Sequence, residues 1–218
     1  ASEVGKAFRI DDAVGRYVVF LKNSFPREFD LVGMKIVLDC AHGATYRVAP
    51  RVFRSLGARV IVVGARPDGR NINSGCGSLH PDGLAARVVA SGADLGIAFD
   101  GDADRVGVVD EHGRVIWGDE MLVVFARDIL ARHPGAVIVS EVKCSQRLYA
   151  DIESHGGRGI MWKAGHSLLK AKMRETGALL GGEMSGHIFF ADRYFGFDDG
   201  IYAGARMIEI LARTGRSL

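Results

Sequence analysis

Gly96-Ile97-Ala98-Phe99-Asp100-Gly101-Asp102-Ala103-Asp104-Arg105-Val106-Gly107-Val108-Val109 decides the fold: two apolar runs flank a loop in which three carboxylates alternate within six residues. The apolar runs read as strands. Carboxylates crowded at a strand end repel one another, and a hard divalent cation, which prefers oxygen ligands, answers that repulsion. Laid without gaps over Gly177-Ala178-Leu179-Leu180-Gly181-Gly182-Glu183-Met184-Ser185-Gly186-His187-Ile188-Phe189-Phe190, the stretch meets a second strand, polar loop and strand. In this register Asp102 overlies Glu183 and Asp104 overlies Ser185. One loop is then expected to hold metal and the other to hold hydroxyls, because Glu183, Ser185 and His187 can accept from and donate to vicinal sugar hydroxyls.

Working outward, an opening helix is expected over Val14, Tyr17, Val18 and Leu21, ending near Pro26. Strands are expected at Lys35 to Cys40, Val60 to Val63, Leu95 to Phe99, Val106 to Val109 and Val115 to Trp117, with helices at Val48 to Leu56 and Gly83 to Ala90. Between them Gly64 to Pro81 is a glycine-rich loop, of a kind that carries function or moves. The second half replays the plan. Helices are expected at Glu120 to Ala131, Gln146 to Ser154, Ser167 to Arg174 and Asp199 to Ala212, and strands at Ala136 to Ser140, Gly159 to Trp162, Ala178 to Leu180 and Ile188 to Phe190. Each half reads β-α-β-α-β-β, so the chain is expected to form two related α/β domains.

Composition narrows the partners. Lys plus Arg number 28 and Asp plus Glu 26 in 218 residues, a balance without the charge footprint of a nucleic-acid or membrane binder, which favours small ligands. Cys40, Cys76 and Cys144 stand far apart without CxxC spacing and read as reduced thiols of a cytoplasmic protein. The longest apolar runs fall short of a membrane span. The start, Ala1-Ser2-Glu3-Val4-Gly5-Lys6, lacks an initiator Met and a signal-peptide core, as expected of a processed chain or an excerpt.

Other readings compete. Asp100, Asp102, Asp104 and Glu111 occupy calcium-loop positions one, three, five and twelve, but Arg105 stands where an EF-hand needs glycine, and strands replace its helices. A haloacid-dehalogenase-like phosphatase also places Asp-x-Asp after a strand, with the first Asp as nucleophile. A purely solvated acidic turn would leave most of the charge uncompensated by Arg105 alone. The second loop, by itself, also fits an ordinary hairpin with a surface histidine. Lys143, and Lys163 to His166 at a strand-to-helix junction, are candidate phosphate or sugar ligands, or else ordinary exposed residues at strand ends. His42, His80, His112, His133 and His155 are read as surface residues without a role.

Phe99 to Arg105 together with Gly182 to His187 resembles the magnesium loop and sugar-recognition loop of the α-D-phosphohexomutases. Trp162 to Lys170 and Tyr194 to Tyr202 are similar to the phosphomannomutase/phosphoglucomutase branch. Phe8 to Ala13, Asp39 to Thr45 and Pro67 to Asn73 look more like phosphoglucosamine mutase. The resemblance implies two three-layer α/β/α domains with mixed sheets, residues 1–118 carrying the metal loop and 119–218 the sugar loop, as the second and third of the family's four domains. The family's phosphoserine motif and its fourth-domain phosphate loop do not occur here, and Ser185 belongs to the sugar loop instead.

The implied reaction interconverts hexose 1-phosphate and 6-phosphate through hexose 1,6-bisphosphate. The same resemblance implies Mg2+ on Asp100, Asp102 and Asp104, Arg105 beside the phosphate, and Glu183 and Ser185 on the sugar hydroxyls. His187, Lys143 and His166 would move a proton or position the attacking hydroxyl. Without the missing outer domains the chain is expected to be inactive. A phosphoglucosamine mutase and a non-catalytic sugar-phosphate or metal-binding module are the alternatives.

Overall fold

In the computed structural model, which describes residues 5–218, two α/β/α units carry mixed sheets of five and four strands. The reading of Ala1 to Val4 lies outside the described residues. The first sheet follows helix α1 (Ala13–Ser24) and contains β1 (Lys35–Asp39), β2 (Arg59–Val63), β3 (Leu95–Phe99), β4 (Val106–Asp110) and β5 (Val115–Ile116), with α2 (Ala49–Ser55) and α3 (Asp82–Ser91) as crossovers. After α4 (Gly118–Arg132) the second sheet contains β6 (Val137–Glu141), β7 (Arg158–Trp162), β8 (Leu180–Gly182) and β9 (Ile188–Phe190). Its crossovers are α5 (Gln146–Ser154) and α6 (His166–Thr176), and α7 (Gly200–Thr214) follows it. Strand orders are β2-β1-β3-β4-β5 and β7-β6-β8-β9; β2-β1-β3 and β7-β6-β8 are parallel, and β3-β4, β4-β5 and β8-β9 are antiparallel.

Period-two alternation sorts the strand residues between two faces. Ile36, Leu38, Ile97 and Phe99 face an inner core, whereas Val37, Ala98 and Val109 face α3. In the second sheet Ile138, Ile188 and Phe190 point inward, and Val139 and Phe189 face α6. The inner core runs without a break through both halves, from Leu21 and Phe53 to Met207 and Ile208. Helix α7 accounts for this continuity. It contacts β3 and β4 of the first sheet as well as α4 and β9 of the second, and a side chain at Gly204 would touch Ile97 and Phe53.

A buried ionic knot ties α7 to its own half. Arg206, 2 % exposed, donates to Asp192 at 2.8 Å and to Asp128 at 3.3 Å, and Arg193 donates to Glu209 at 2.7 Å. Arg132 also donates to Asp128 and Asp192. Burial alone would raise the Asp192 carboxyl, but the guanidiniums of Arg132 and Arg206 outweigh it and hold it at about 2.

The ungapped overlay of the two hairpins is corrected by the sheet register. Val37 pairs with Gly96 and Val139 with Gly181, so Gly96 corresponds to Gly181 rather than to Gly177. Both glycines let the outer helix close on the sheet: an added Cβ would lie 2.6 Å from Val88 and 2.5 Å from Met173, respectively. This is also why β8 continues through Gly181 and Gly182, expected as loop. Between Gly96 and its partner Val109 lie twelve residues, against seven between Gly181 and its partner Phe189. Asp102 and Asp104 therefore do not overlie Glu183 and Ser185; the acidic run belongs to the extra length of the first hairpin.

Candidate functional site

The candidate side chains gather at the carboxyl ends of the parallel strands, where α/β sheets present ligand sites. Asp100 follows β3 directly and is 6 % exposed, while Asp102 is exposed and Asp104 half-buried. One oxygen of each of the three lies within 4.8 Å of the others. Burial pushes the Asp100 carboxyl up to about 6; the backbone N–H of Arg105 opposes this, and the neighbouring charges of Asp104 and Asp102 add to it. Asp104 Oδ1 is buried and accepts no hydrogen bond among the described residues. A raised carboxyl beside a carboxylate oxygen without a hydrogen-bond donor is a ligand set that would suit a cation. The all-oxygen donor set fits Mg2+ or Ca2+ rather than a softer metal.

Two loops brace this hairpin from beneath. Asp39, the last residue of β1, accepts from the N–H of Ala41 at 2.9 Å and of Gly77 at 2.8 Å. Ala44 N–H donates to the Gly101 carbonyl, and Ser78 N–H to the Phe99 carbonyl. A Cβ on Gly43 would lie 2.3 Å from the Gly101 oxygen, so this approach needs glycine. The glycine-rich stretch after β2 thus acts as a support for the acidic loop.

The shorter hairpin abuts the longer one. Arg105 and His187 form an antiparallel bridge, and Val106 N–H donates to the Gly186 carbonyl at 3.0 Å. Gly186 sits at φ 94°, and a Cβ there would come within 2.3 Å of the Val106 oxygen. Gly200, which opens α7, donates its N–H to the Ala103 carbonyl at 2.9 Å. Asp199 caps that helix through the Tyr202 N–H and accepts the hydroxyls of Tyr17 and Tyr194.

Arg105 Nε donates to His187 Nε2 at 3.1 Å and lies 3.5 Å from Asp100 Oδ2. His187, 5 % exposed, stacks on His166 at 5.5 Å between ring centres. Burial lowers the affinity of His187 for a second proton, but the carboxylates of Asp198 and Asp104 overcome this and draw it upward. Asp198 is itself held well below the carboxylate range by His187 and Lys170, against its own burial.

Glu183, 6 % exposed, accepts the Gly165 N–H at 2.7 Å through Oε1 and the Ser185 hydroxyl at 3.4 Å through Oε2. That bond brings His166, at the start of α6, to the sugar-type loop. Lys143 is joined to the same loop through Glu141, 3.3 Å from its Oε2, whose Oε1 accepts the Met184 N–H at 2.8 Å. Lys143 keeps a 63 % exposed side chain, and Lys163 is exposed. The structure therefore brings Asp100, Asp102, Asp104, Arg105, His187 and His166 into one line, with Glu183, Ser185 and Lys143 continuing it.

Sequence reading missed Asp198, Lys170, Glu141 and Asp39. Asp39 and Glu141 carried a signal, each a carboxylate closing an apolar strand; Asp198 and Lys170 carried none beyond the stretches already quoted. Asp104, His187 and Asp198 form a second cluster of metal-ligand type. While Nε2 accepts from Arg105, however, the neutral ring bears its proton on Nδ1 and offers no lone pair to an ion there. A cavity of about 270 Å3, lined by Tyr17, Thr45, Asp102, Asp104, Asp198 and Asp199, opens beside the acidic loop. A larger one of about 540 Å3 is lined by Lys170, Arg174 and Phe195, on the side of α6 away from the acidic loop.

Residues 16–113 match the family described as Phosphoglucomutase/phosphomannomutase, alpha/beta/alpha domain II, and residues 117–218 match its alpha/beta/alpha domain III. The chain is 48 % identical over 220 residues to a phosphoglucosamine mutase of Geotalea daltonii, covering 100 % of this chain and 48 % of that protein. It is 50 % identical over 192 residues to a phosphomannomutase/phosphoglucomutase of Pseudomonas putida, covering 84 % and 40 %. A solved phosphoglucomutase/phosphomannomutase family protein of Burkholderia thailandensis superposes with a TM-score of 0.84 at 44 % identity, covering 92 % of this chain and 44 % of that one. An Aspergillus fumigatus N-acetylphosphoglucosamine mutase, solved in complex with GlcNAc-6P and magnesium, shares the fold with a TM-score of 0.72 at 18 % identity, covering 92 % and 47 %. The chain spans about half the length of the curated relatives it matches.

Proposed function

Because this chain belongs to the phosphoglucomutase/phosphomannomutase family, we propose that it supplies the ion-holding and sugar-holding floor of a mutase that interconverts hexose 1-phosphate and 6-phosphate through hexose 1,6-bisphosphate. The observation that carries this reading is the seam at Arg105 and His187, which sets a carboxylate loop fit for a cation directly against a loop fit for hydroxyls. The proposed phosphoryl donor, a phosphoserine, belongs to a domain outside these residues, so the 218-residue chain alone is expected to be inactive. We divide the chain at residues 118 and 119, matching the two loops to the family's second and third domains.

Asp100, Asp102 and Asp104 would hold Mg2+, the ion bound by the Aspergillus relative, which supplies charge neutralisation at the transferred phosphoryl group. Arg105 adds a planar donor fork on the phosphate oxygens once it leaves His187. Glu183 and Ser185 grip the sugar's 3- and 4-hydroxyls, one acceptor and one donor that serve either orientation of the ring. His187 Nε2, freed from Arg105, accepts the proton of the attacking hydroxyl. His166 and Lys143 flank the sugar and its distal phosphate as cationic or donor groups.

Two sugar classes remain in play. The Glu183-Met184-Ser185 loop favours a phosphomannomutase/phosphoglucomutase, whereas 48 % identity along the whole chain supports a phosphoglucosamine mutase as the alternative. Titration of the chain with glucose, mannose and glucosamine 6-phosphates, with and without Mg2+ and followed by amide NMR, tests the reading. Weak binding at Glu183 to His187, together with a Mg2+ response at Asp100 to Arg105, is expected. Silence toward all three sugars refutes it, and robust turnover by the chain alone refutes the need for further domains.

A further inference from the structure

Asp198 lies outside both loops, one residue before the α7 cap, yet three side chains converge on its carboxylate. Lys170 from α6 donates to Oδ1 at 2.9 Å. Oδ2 lies 3.0 Å from His187 Nδ1, though off the line of the ring N–H, and 3.9 Å from His166 Nδ1. On the opposite edge of the imidazole, Nε2 takes the Arg105 bond at 3.1 Å. A guanidinium has only donors, so that contact demands a lone pair on Nε2 and leaves the proton of the neutral ring on Nδ1, facing Asp198.

We propose that Asp198 is a positioning residue: held by Lys170, it fixes His187 in the tautomer that presents the Nε2 lone pair to the junction of the two loops. Arg105 occupies that lone pair in the unliganded chain and surrenders it when an anionic phosphate draws the guanidinium away. What Nε2 then accepts rests on the mutase reading; the tautomer does not. A donor count gives the idea its force. Lys170 and His187 Nδ1–H face different oxygens of the carboxylate, Oδ1 and Oδ2, and an asparagine can offer an acceptor at only one of those two places. In Asp198→Asn the charged ammonium claims the single amide oxygen, because charge-assisted bonds are the stronger ones. The amide NH2 then faces Nδ1, which can accept only if the ring proton moves to Nε2, and that proton would expel Arg105. Removing the competing donor in Asp198→Asn/Lys170→Met lets the amide oxygen turn back to His187.

Nitrogen-15 NMR of the seven histidine rings, at about pH 9 where imidazole is neutral, reads the tautomer directly in the 218-residue chain, with His187 assigned by its loss in His187→Gln. The expected result is Nδ1–H in the wild type, Nε2–H in Asp198→Asn, and Nδ1–H again in the double variant. Nε2–H in the wild type overturns the proposal without any variant. So does an unchanged tautomer in Asp198→Asn while the other histidine signals stay in place. Glucose, mannose and glucosamine 6-phosphates added to the same samples are scored separately: silence toward all three refutes the mutase reading, while the tautomer still judges Asp198.

Discussion

The β3–β4 and β8–β9 hairpins, the first antiparallel pair of each sheet, start from the same register and finish with different lengths. Twelve residues separate Gly96 from its partner, and seven separate Gly181 from its partner. The shorter hairpin closes as a tight turn whose one acidic side chain, Glu183, is spoken for by Gly165 and Ser185. The longer one has room for Asp100, Asp102 and Asp104, and it leaves a buried carboxylate oxygen of Asp104 without a donor among the described residues. Sheet architecture was duplicated and chemistry was not. The extra residues created the ion-type site and allowed its last member, Arg105, to reach the other hairpin.

The halves also differ in what backs each hairpin. Backbone amides on Asp39, Gly101 and Phe99 support the first, whereas the second rests on the ionic knot around Arg206. The sharpest way to break the comparison is Arg206→Ala, which removes the fully buried guanidinium from Asp128, Asp192 and the Phe190 ring and leaves the two carboxylates to Arg132 and Arg213; a loss of about 3–5 kcal/mol is expected in denaturant unfolding. Gly186→Val attacks the seam instead. It combines an unfavourable φ of 94° with a Cβ 2.3 Å from the Val106 oxygen, and should cost about 3 kcal/mol while speeding amide exchange at Val106.

Acid should act on the halves with opposite sign. The Asp192 carboxyl, held at about 2, binds protons less readily when folded, so its contribution of about 2 kcal/mol is present above pH 4 and lost as pH falls toward 2. The Asp100 carboxyl, raised to about 6, binds its proton more tightly when folded. Its contribution of about 3 kcal/mol is therefore present below the usual carboxylate range and lost as pH rises through 6. In Mg2+-free urea titrations, Asp100→Asn should flatten the profile between pH 4 and 6.5 and leave the acid limb intact; an unchanged slope there contradicts the burial argument. The smallest effects separate the loops chemically. Asp102→Asn should weaken Mg2+ binding about tenfold by calorimetry with sugar phosphate binding unchanged. Ser185→Ala should cost about 1 kcal/mol in sugar phosphate binding and nothing in Mg2+ affinity.

Strands and helices were legible because burial on both faces writes apolar runs and glycine stops into the chain, as at Leu95 to Phe99 and at Gly57. The acidic loop stood out for a different reason, since charges alternating at a strand end have few structural uses, whereas Gly182 to His187 was read partly through an overlay that the sheet register overturns. The register between the hairpins was not legible. It is set by where Val37 and Val139 pair and by which glycines let Val88 and Met173 close on the sheet, contacts that involve distant segments. Asp198 escaped for the same cause, since Lys170 and His187 meet it only after α6 and β9 have packed. Glu141 reads in sequence as a strand-end acid like many others, and its bond to Met184 N–H gives it a place in the site.

Helix α7 bears on how the chain is made. Residues 200–214 are synthesised well after β5 (Val115–Ile116), yet they complete the apolar face of the first sheet, where Gly204 lies against Ile97 and Phe53. A nascent chain that has already paired β1 through β5 still presents that face to water until α7 arrives. The first sheet is therefore a late customer for chaperones rather than an early finished product of translation. Its fate is decided some hundred residues after its own last strand has been made.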